Sequence, residues 1–490
     1  MENIVDEKRI FDCLSKAQRP STAVIEAVLE KGLLKRGLTL TEAAALMSTA
    51  EPQLIQKIFE TASRIKDDIY GERLVLFAPL YVSDYCVNDC EYCNFHERNR
   101  ELNRRRLTKN EIIAETKCLI DMGHKRVLVE FGEDPERNSI DYICEAIETI
   151  YSVKSGAGNI RRINVNVAAT TTQHYKRLKA AHIGTYQLFQ ETYHRKTYGE
   201  VHRGGPKADY NRQLTSHARA FEAGIDDLGI GVLFGLYDWR FEVLALISHA
   251  QWMEKELGVG PHTISVPRFC PAPAVKYKPP YSVSDDDFLK IIAILRIAVP
   301  YTGMILSTRE TPDIRAKAFR LGISQASAAS ITTPGGYSSR VRHEKSSLPL
   351  LCKEGRGEVD SDLPHLASPY KGEVENAQFE THDQRPLSEV VKAAIADGLI
   401  PSFCTACYRK ERTGEIFMDL ARPGIIHEFC RPNAILTFAE YLEDYGDEEV
   451  KKSGGTLIRR YLNKISDSHL KEETQNRLRE IHSGKRDLYF

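Results

Sequence analysis

Residues 73–95 read RLVLFAPLYVSDYCVNDCEYCNF. After the leading arginine, the next nine are apolar and rich in residues that favour a buried strand. Three cysteines follow at once, Cys86, Cys90 and Cys93, with three and then two residues between them. Seven further short runs of similar character lie downstream: RVLVEFG (126–132), INVNVA (163–168), TYQLFQE (185–191), LGIGVLFG (228–235), HTISVPR (262–268), MILSTR (304–309) and GISQAS (322–327). Helix-length amphipathic stretches separate them. Eight strand–helix units over residues 71–338 suit a (β/α)8 TIM-type barrel, typically about 250 residues long. An open doubly wound sheet competes with that reading, but no GxGxxG follows the first strand. The pattern therefore predicts an α/β barrel, with the cysteine trio just beyond the first strand, on the face where barrel enzymes place their chemistry.

The flanks differ. Residues 1–70 read as a helical N-terminal extension, with three- and four-residue apolar spacing in STAVIEAVLEKGL (21–33) and LTEAAALMSTAEPQLIQKIFETASRIK (40–66). Residues 339–378 read as a flexible insertion. In it SLPLLCKEGRGEV (347–359) is echoed by DLPHLASPYKGEV (362–374), a pair too short for a solenoid. Residues 379–490 read as a mainly helical C-terminal domain. It begins with RPLSEVVKAAIADG, a helix with Pro386 near its start and Gly398 near its end.

Composition narrows the function. The 490 residues are 42% apolar and 28% charged, as in a globular protein, and 67 basic against 68 acidic residues leave a net charge of -1. That balance gives no electrostatic case for nucleic acid as a partner. The run RNRELNRRRLTKNE (98–111) reads as a solvated loop leading into a helix rather than a phosphate or RNA site. No apolar run approaches the roughly 18 residues of a membrane span. The start, MENIVDEKRIFDCLSK, lacks the apolar core of a signal peptide. The expected location is the cytoplasm.

Eleven cysteines are too sparse for a disulfide scaffold, and their number is odd. In a reducing compartment, clustered cysteines point to metal or catalysis. Cys13, Cys118, Cys144, Cys270 and Cys352 are scattered and read as packing residues or surface thiols. A second trio stands in FCTACYRKERTGEIFMDLARPGIIHEFC (403–430): Cys404, Cys407 and, after 22 residues, Cys430.

A structural zinc site closes with four ligands. His96 is available to the first trio, but a closed site there obstructs the barrel mouth. An iron–sulfur cube held by three cysteines leaves one iron open for a substrate or cofactor. For the second trio, zinc with His427 and a second three-cysteine cube both remain open.

The CxxxCxxC pattern, with aromatic Tyr92 before its last cysteine, resembles the radical S-adenosylmethionine (SAM) superfamily. The resemblance implies a 4Fe–4S cluster on Cys86, Cys90 and Cys93 whose open iron chelates SAM and whose electron cleaves it to a 5′-deoxyadenosyl radical. It also implies SAM contacts from Gly132 and Glu133 in FGEDP (131–135) and from Tyr92 beside adenine. The stretches LFAPLYVSDYC, GHKRVLVEFGEDP, GTYQLFQETYH, AGIDDLGIGVLFGLYD, GVGPHTISVPR, MILSTRE and IPSFCTACYR resemble, more narrowly, the HydG family of FeFe-hydrogenase maturases, which are radical SAM tyrosine lyases. That resemblance runs over residues 1–338 and 378–485. The related 2-iminoacetate synthases of thiamine synthesis share the barrel and tyrosine cleavage but lack the second trio.

The HydG resemblance implies cleavage of L-tyrosine between Cα and Cβ to p-cresol and dehydroglycine. Carbon monoxide and cyanide then form at an auxiliary 4Fe–4S cluster on Cys404, Cys407 and Cys430. This cluster carries an extra iron, ligated by His262 and by L-cysteine, and the product is an Fe(CO)2(CN)–cysteine precursor of the hydrogenase H-cluster. A reductant such as ferredoxin or flavodoxin and the other hydrogenase maturases are the implied partners. His262 opens the sixth strand, which puts the auxiliary cluster at the N-terminal mouth, roughly 20 Å from the SAM side. Glu191 is expected at SAM, with Gln190 and Tyr193 facing the same side. Arg268 and Arg309 are expected to pair with the carboxylates of SAM or tyrosine, or to form structural ion pairs. Asn94 departs from the family where a glycine is expected, and Ile331 where an arginine is expected.

Overall fold

The computed structural model describes residues 4–347 and 376–490. The echoed segments at 348–359 and 362–374, with Cys352, lie outside the described residues. Eight parallel strands follow the eight runs: β1 (Arg73–Ser83), β2 (Arg126–Phe131), β3 (Arg162–Asn166), β4 (Tyr186–Gln187), β5 (Leu228–Gly231), β6 (Thr263–Ser265), β7 (Gly303–Leu306) and β8 (Gln325–Ser327). Each pairs with the next, and β8 returns to β1 through Val75↔Gln325 and Phe77↔Ser327, closing the barrel. The expected closed α/β barrel is what forms. β4 is shorter than its seven-residue run, although Leu188 N and Gln190 N still bond the Gly229 and Gly231 carbonyls beside β5, and Glu191, at φ +68, bridges Val232.

Alternation sorts the strand residues. Leu74, Leu76, Ala78 and Leu80 of β1, Val127 and Val129 of β2, and Met304 and Leu306 of β7 face the helices and belong to the main core. Burying each such side chain contributes about 1.5–3 kcal/mol. The opposite set faces the barrel axis and is mixed in polarity. Phe77, Leu128 and Ile305 form a separate apolar cluster there.

Four helices precede the barrel: α1 (Glu7–Lys16), α2 (Thr22–Leu33), α3 (Leu40–Ser48) and α4 (Pro52–Tyr70). The barrel's outer ring includes α5 (Lys109–Asp121), α6 (Ile140–Ser152), α7 (Thr172–Ala180), α8 (Ser216–Glu222), α9 (Trp239–Leu257), α10 (Asp285–Ala298), α11 (Pro312–Leu321) and α12 (Gly336–Ser347). Local sequence sets their starts. Thr108 and Glu111 form a reciprocal capping box at α5, and Ser284 caps α10, each cap contributing about 1 kcal/mol. The long α4 packs its Leu54, Ile58 and Ile65 face against α10.

Beyond residue 376 come α13 (Leu387–Ala396), β9 (Ile400–Ser402), α14 (Gly414–Ala421), α15 (Ile426–Tyr445), α16 (Glu448–Asn463) and α17 (Ser468–His482). β9 joins the barrel sheet: Arg73, Leu74 and Val75, the start of β1, pair with Ile400, Pro401 and Ser402. A buried ion pair between Arg161, just before β3, and Glu440 of α15 fastens the helical region to the barrel. Among the described residues no helix is long and apolar enough to cross a membrane.

Candidate active site and second cysteine site

The first trio lies on the loop after β1, at the C-terminal mouth. Backbone bonds shape that loop: Val87 N donates to Glu133 O (2.8 Å), Asp89 N to Gly204 O (3.0 Å) and Glu91 N to Val201 O (2.9 Å). Two glycines admit it. A Cβ on Gly132 would lie 2.3 Å from the carbonyl oxygen of Tyr85. Gly205, at φ +80, would bring a Cβ within 2.4 Å of Asn88 Oδ1. Tyr92 is fixed by a 2.8 Å bond between its hydroxyl and His202 Nε2.

Tyr92, Cys93, Glu191 and Arg309 line one cavity in the barrel mouth, together with Glu130, Gln187 and Gln378. Glu191 Oε1 accepts from Lys207 Nζ at 2.8 Å. Glu133 is held outside the lining by Asn88 Nδ2 (2.6 Å) and Arg212 (2.8 Å). Arg309 lies 3.3 Å over the centre of the Phe379 ring. Arg268 is elsewhere: its guanidinium is engaged by Glu310, by Asp285 at 2.8 Å and by the Val283 carbonyl at 2.9 Å. It forms a structural ion pair, the second of the two expectations for it. Tyr193 turns into the helix layer and bonds His249 Nδ1 at 2.8 Å, while Gln190 is buried. The strand end rotates between Glu191 and Tyr193, so Gln190, Glu191 and Tyr193 do not share a face.

Sequence reading passed over Glu130, Lys207 and Gln378. Glu130 is legible in retrospect, as a carboxylate at an inward position of β2. Enclosure in the barrel pushes its carboxyl up to about 8, against the bonding of Asn166 and the charge of Arg309. Lys207 comes from a loop remote in sequence and stays charged despite burial, held by Glu191 and the Cys90 sulfur. The basic run at 98–111 is spent on structure: Arg98 pairs with Asp89 and Glu91, Arg104 bonds three carbonyls, Arg105 pairs with Glu111, and Arg106 stacks 3.7 Å over Tyr142.

The second trio meets His262 at the opposite mouth. Cys404, Cys407, Cys430 and His262 line one cavity with Arg73, Arg126 and Tyr408. β9 delivers Cys404 and Cys407 there, and α15 delivers Cys430. The His262 ring rests 4.2 Å from that of Phe417, and its Nδ1 faces Asp227 Oδ2 at 4.0 Å. Among the described residues neither that nitrogen nor either Asp227 oxygen has a hydrogen-bond partner. A carboxylate behind one ring nitrogen is the usual support of a metal-binding histidine. The hydrogen bond from Cys407, with Arg73 and Arg412 nearby, holds the Cys430 thiol below its ordinary value, against its burial.

Both donor sets suit iron–sulfur clusters. Burial pushes the Cys86 and Cys90 thiols up and Cys93 to about 11, so thiolates there need a cationic body to bind. In each zinc alternative one ring nitrogen of the histidine is engaged, His96 Nδ1 2.7 Å from the Cys93 carbonyl and His427 Nε2 2.9 Å from Glu428, while His427 Nδ1 is buried without a hydrogen-bond partner among the described residues. Among the described residues no three His, Cys, Asp or Glu side chains gather as for a single ion.

A closed parallel barrel with CxxxCxxC on the loop after its first strand defines a radical SAM enzyme. Residues 80–246 match the family model of the radical SAM superfamily, and residues 265–400 that of the Biotin and Thiamin Synthesis associated domain. The chain is 30% identical to the 2-iminoacetate synthase of Salmonella typhimurium, over 76% of its own length and 89% of that protein. A crystal structure of HydG, a maturase of the FeFe-hydrogenase, superposes with a TM-score of 0.90 at 47% identity, covering 99% of this chain and 100% of that one. The FeFe-hydrogenase maturase HydG from Carboxydothermus hydrogenoformans gives 0.79 at 39% identity, over 96% and 97%. The chain belongs to the HydG family of FeFe-hydrogenase maturases, radical SAM enzymes of the tyrosine-lyase type.

Proposed function

We propose that this protein cleaves L-tyrosine at one mouth of its barrel and assembles the fragments with iron at the other. The observation that carries this reading is the pair of cysteine trios at opposite ends of one barrel, with His262 beside the second. A tyrosine lyase that stops at dehydroglycine, as in the 2-iminoacetate synthases, has no use for the second trio.

Cys86, Cys90 and Cys93 would hold a 4Fe–4S cluster, and Tyr92 and Glu191 in the cavity would contact SAM, with Gly132 and Glu133 of the FGEDP strand end proposed beside it. When bound, this pair supplies the 5′-deoxyadenosyl radical that takes a hydrogen from the tyrosine amino group. The chain's task is orientation and exclusion of water. Arg309, inside the cavity, offers a cation to a carboxylate, while Glu130, protonated at neutral pH, offers a hydrogen-bond donor. Lys207 neutralises Glu191 behind the SAM side. Phe77, Leu128 and Ile305 give the first cavity an apolar wall.

At the far mouth Cys404, Cys407 and Cys430 would hold the auxiliary cluster. His262 and L-cysteine would ligate the extra iron, which is cargo leaving as the Fe(CO)2(CN)–cysteine unit for other maturases. Ferredoxin or flavodoxin is the proposed electron source. The test is anaerobic reconstitution followed by incubation with SAM, dithionite and tyrosine. About eight irons per chain, p-cresol and captured carbon monoxide are expected. p-Cresol without carbon monoxide supports the shorter lyase reaction, and zinc without labile sulfide overturns both.

A further inference from the structure

Asn94, the residue after Cys93, is fully buried. Its Nδ2 donates to the Ala377 carbonyl at 2.8 Å and its backbone N to the Gln378 carbonyl at 3.4 Å. Its Oδ1 accepts from Asn99 Nδ2 at 3.1 Å and from Ala274 N at 3.3 Å. A glycine here would make none of the side-chain bonds. The strap at 377–379 is thereby tied to the cysteine loop on one side. On the other, Gln378 N donates to the Thr332 carbonyl at 2.9 Å.

Gln378 then reaches into the cavity with its amide orientation fixed. Tyr81 donates its hydroxyl to Gln378 Oε1 at 2.7 Å, so Nε2 is the atom turned toward the trio, and it lies 3.7 Å from Cys93 Sγ. A thiolate on Cys93 accepts only, which keeps the nitrogen on its side and leaves the oxygen to the Tyr81 hydroxyl. An N–H directed at a cluster sulfur withdraws charge from it and favours the reduced state, and such bonds are among the levers that set cluster potentials.

We propose that Gln378 is a positioning residue that hydrogen-bonds Cys93 and raises the reduction potential of the centre held by the first trio, and that Asn94 and Tyr81 hold it in place. This rests on the reading that the first trio holds an iron–sulfur cluster. The departure at position 94 is then an anchor for a tuning residue that lies nearly three hundred positions away in sequence.

The experiment uses the full chain with Cys404→Ala and Cys407→Ala, so that cluster signals arise from the first trio alone. After anaerobic reconstitution, iron and sulfide are counted, and a reductive titration is followed by electron paramagnetic resonance. Gln378→Leu is expected to load the same iron but titrate at a lower potential, cutting the reduced fraction at the parent's midpoint about threefold. Tyr81→Phe, which keeps the ring and frees the amide, shifts the same way by less, as does Asn94→Gly. If Gln378→Leu and Tyr81→Phe both titrate with the parent, the proposal is wrong. If Gln378→Leu fails to load, Tyr81→Phe decides. Absence of labile sulfide in the parent instead overturns the functional reading itself.

Discussion

The two cysteine trios are built in opposite ways. The first spans eight positions, from Cys86 to Cys93, and one strand end delivers all three cysteines. The second takes Cys404 and Cys407 from the turn after β9 and Cys430 from α15, and it meets a histidine from β6. A local site needs a loop of the right shape, and Gly132 and Gly205 provide it. A composite site depends on every contact that docks one segment on another, here the β9–β1 ladder and the Arg161–Glu440 pair. The first site should therefore be robust to changes in the helical region, and the second should not.

The largest expected effects test that division. Cys90→Ala should abolish p-cresol formation and remove about half of the iron. Cys404→Ala with Cys407→Ala should also remove about half of the iron, and end carbon monoxide capture while p-cresol continues to form. Loss of p-cresol in the second variant would break the division of labour between the mouths.

A smaller effect comes from Glu440→Ala, which leaves Lys125 buried without its paired carboxylate and Arg161 with only Asp487, at 3.2 Å. Truncating one partner of a buried pair costs about 3–5 kcal/mol. The loss should appear as a lower melting temperature and as depleted iron at the second trio, with the first still loaded. Equal depletion at both would mean the docking contacts support the whole barrel.

The smallest effect concerns Glu130. Its carboxyl moves from an ordinary 4.5 to about 8 on folding, so the folded state keeps a proton that the unfolded chain releases. Stability present below pH about 4.5 is lost as pH rises to about 8, and changes no further above that. Glu130→Gln should flatten this slope in denaturant titrations across that range. Glu242, also raised to about 8 by burial, stays in both proteins as an internal reference. An unchanged slope would mean that Glu130 is ionised in the folded barrel.

By itself the sequence determined what depends on near neighbours. The eight strand runs, the helix starts at Thr108 and Ser284, and the CxxxCxxC loop are written in residue alternation, capping and spacing, which act over a few positions. The resemblance of its motifs added what the chemistry is. Tertiary structure decided what depends on packing between remote segments. It placed Cys430 beside Cys404 and His262, took Arg268 out of the cavity and into a pair with Glu310, and turned Tyr193 away from the cavity of the first trio. It brought Lys207 against Glu191, and it gave Asn94 a partner in a strap that no local pattern connects to it. The physical reason is common to these cases. A side chain's partner is chosen by which surfaces the closed barrel presses together, and burial then leaves each polar group to bond whatever lies within reach.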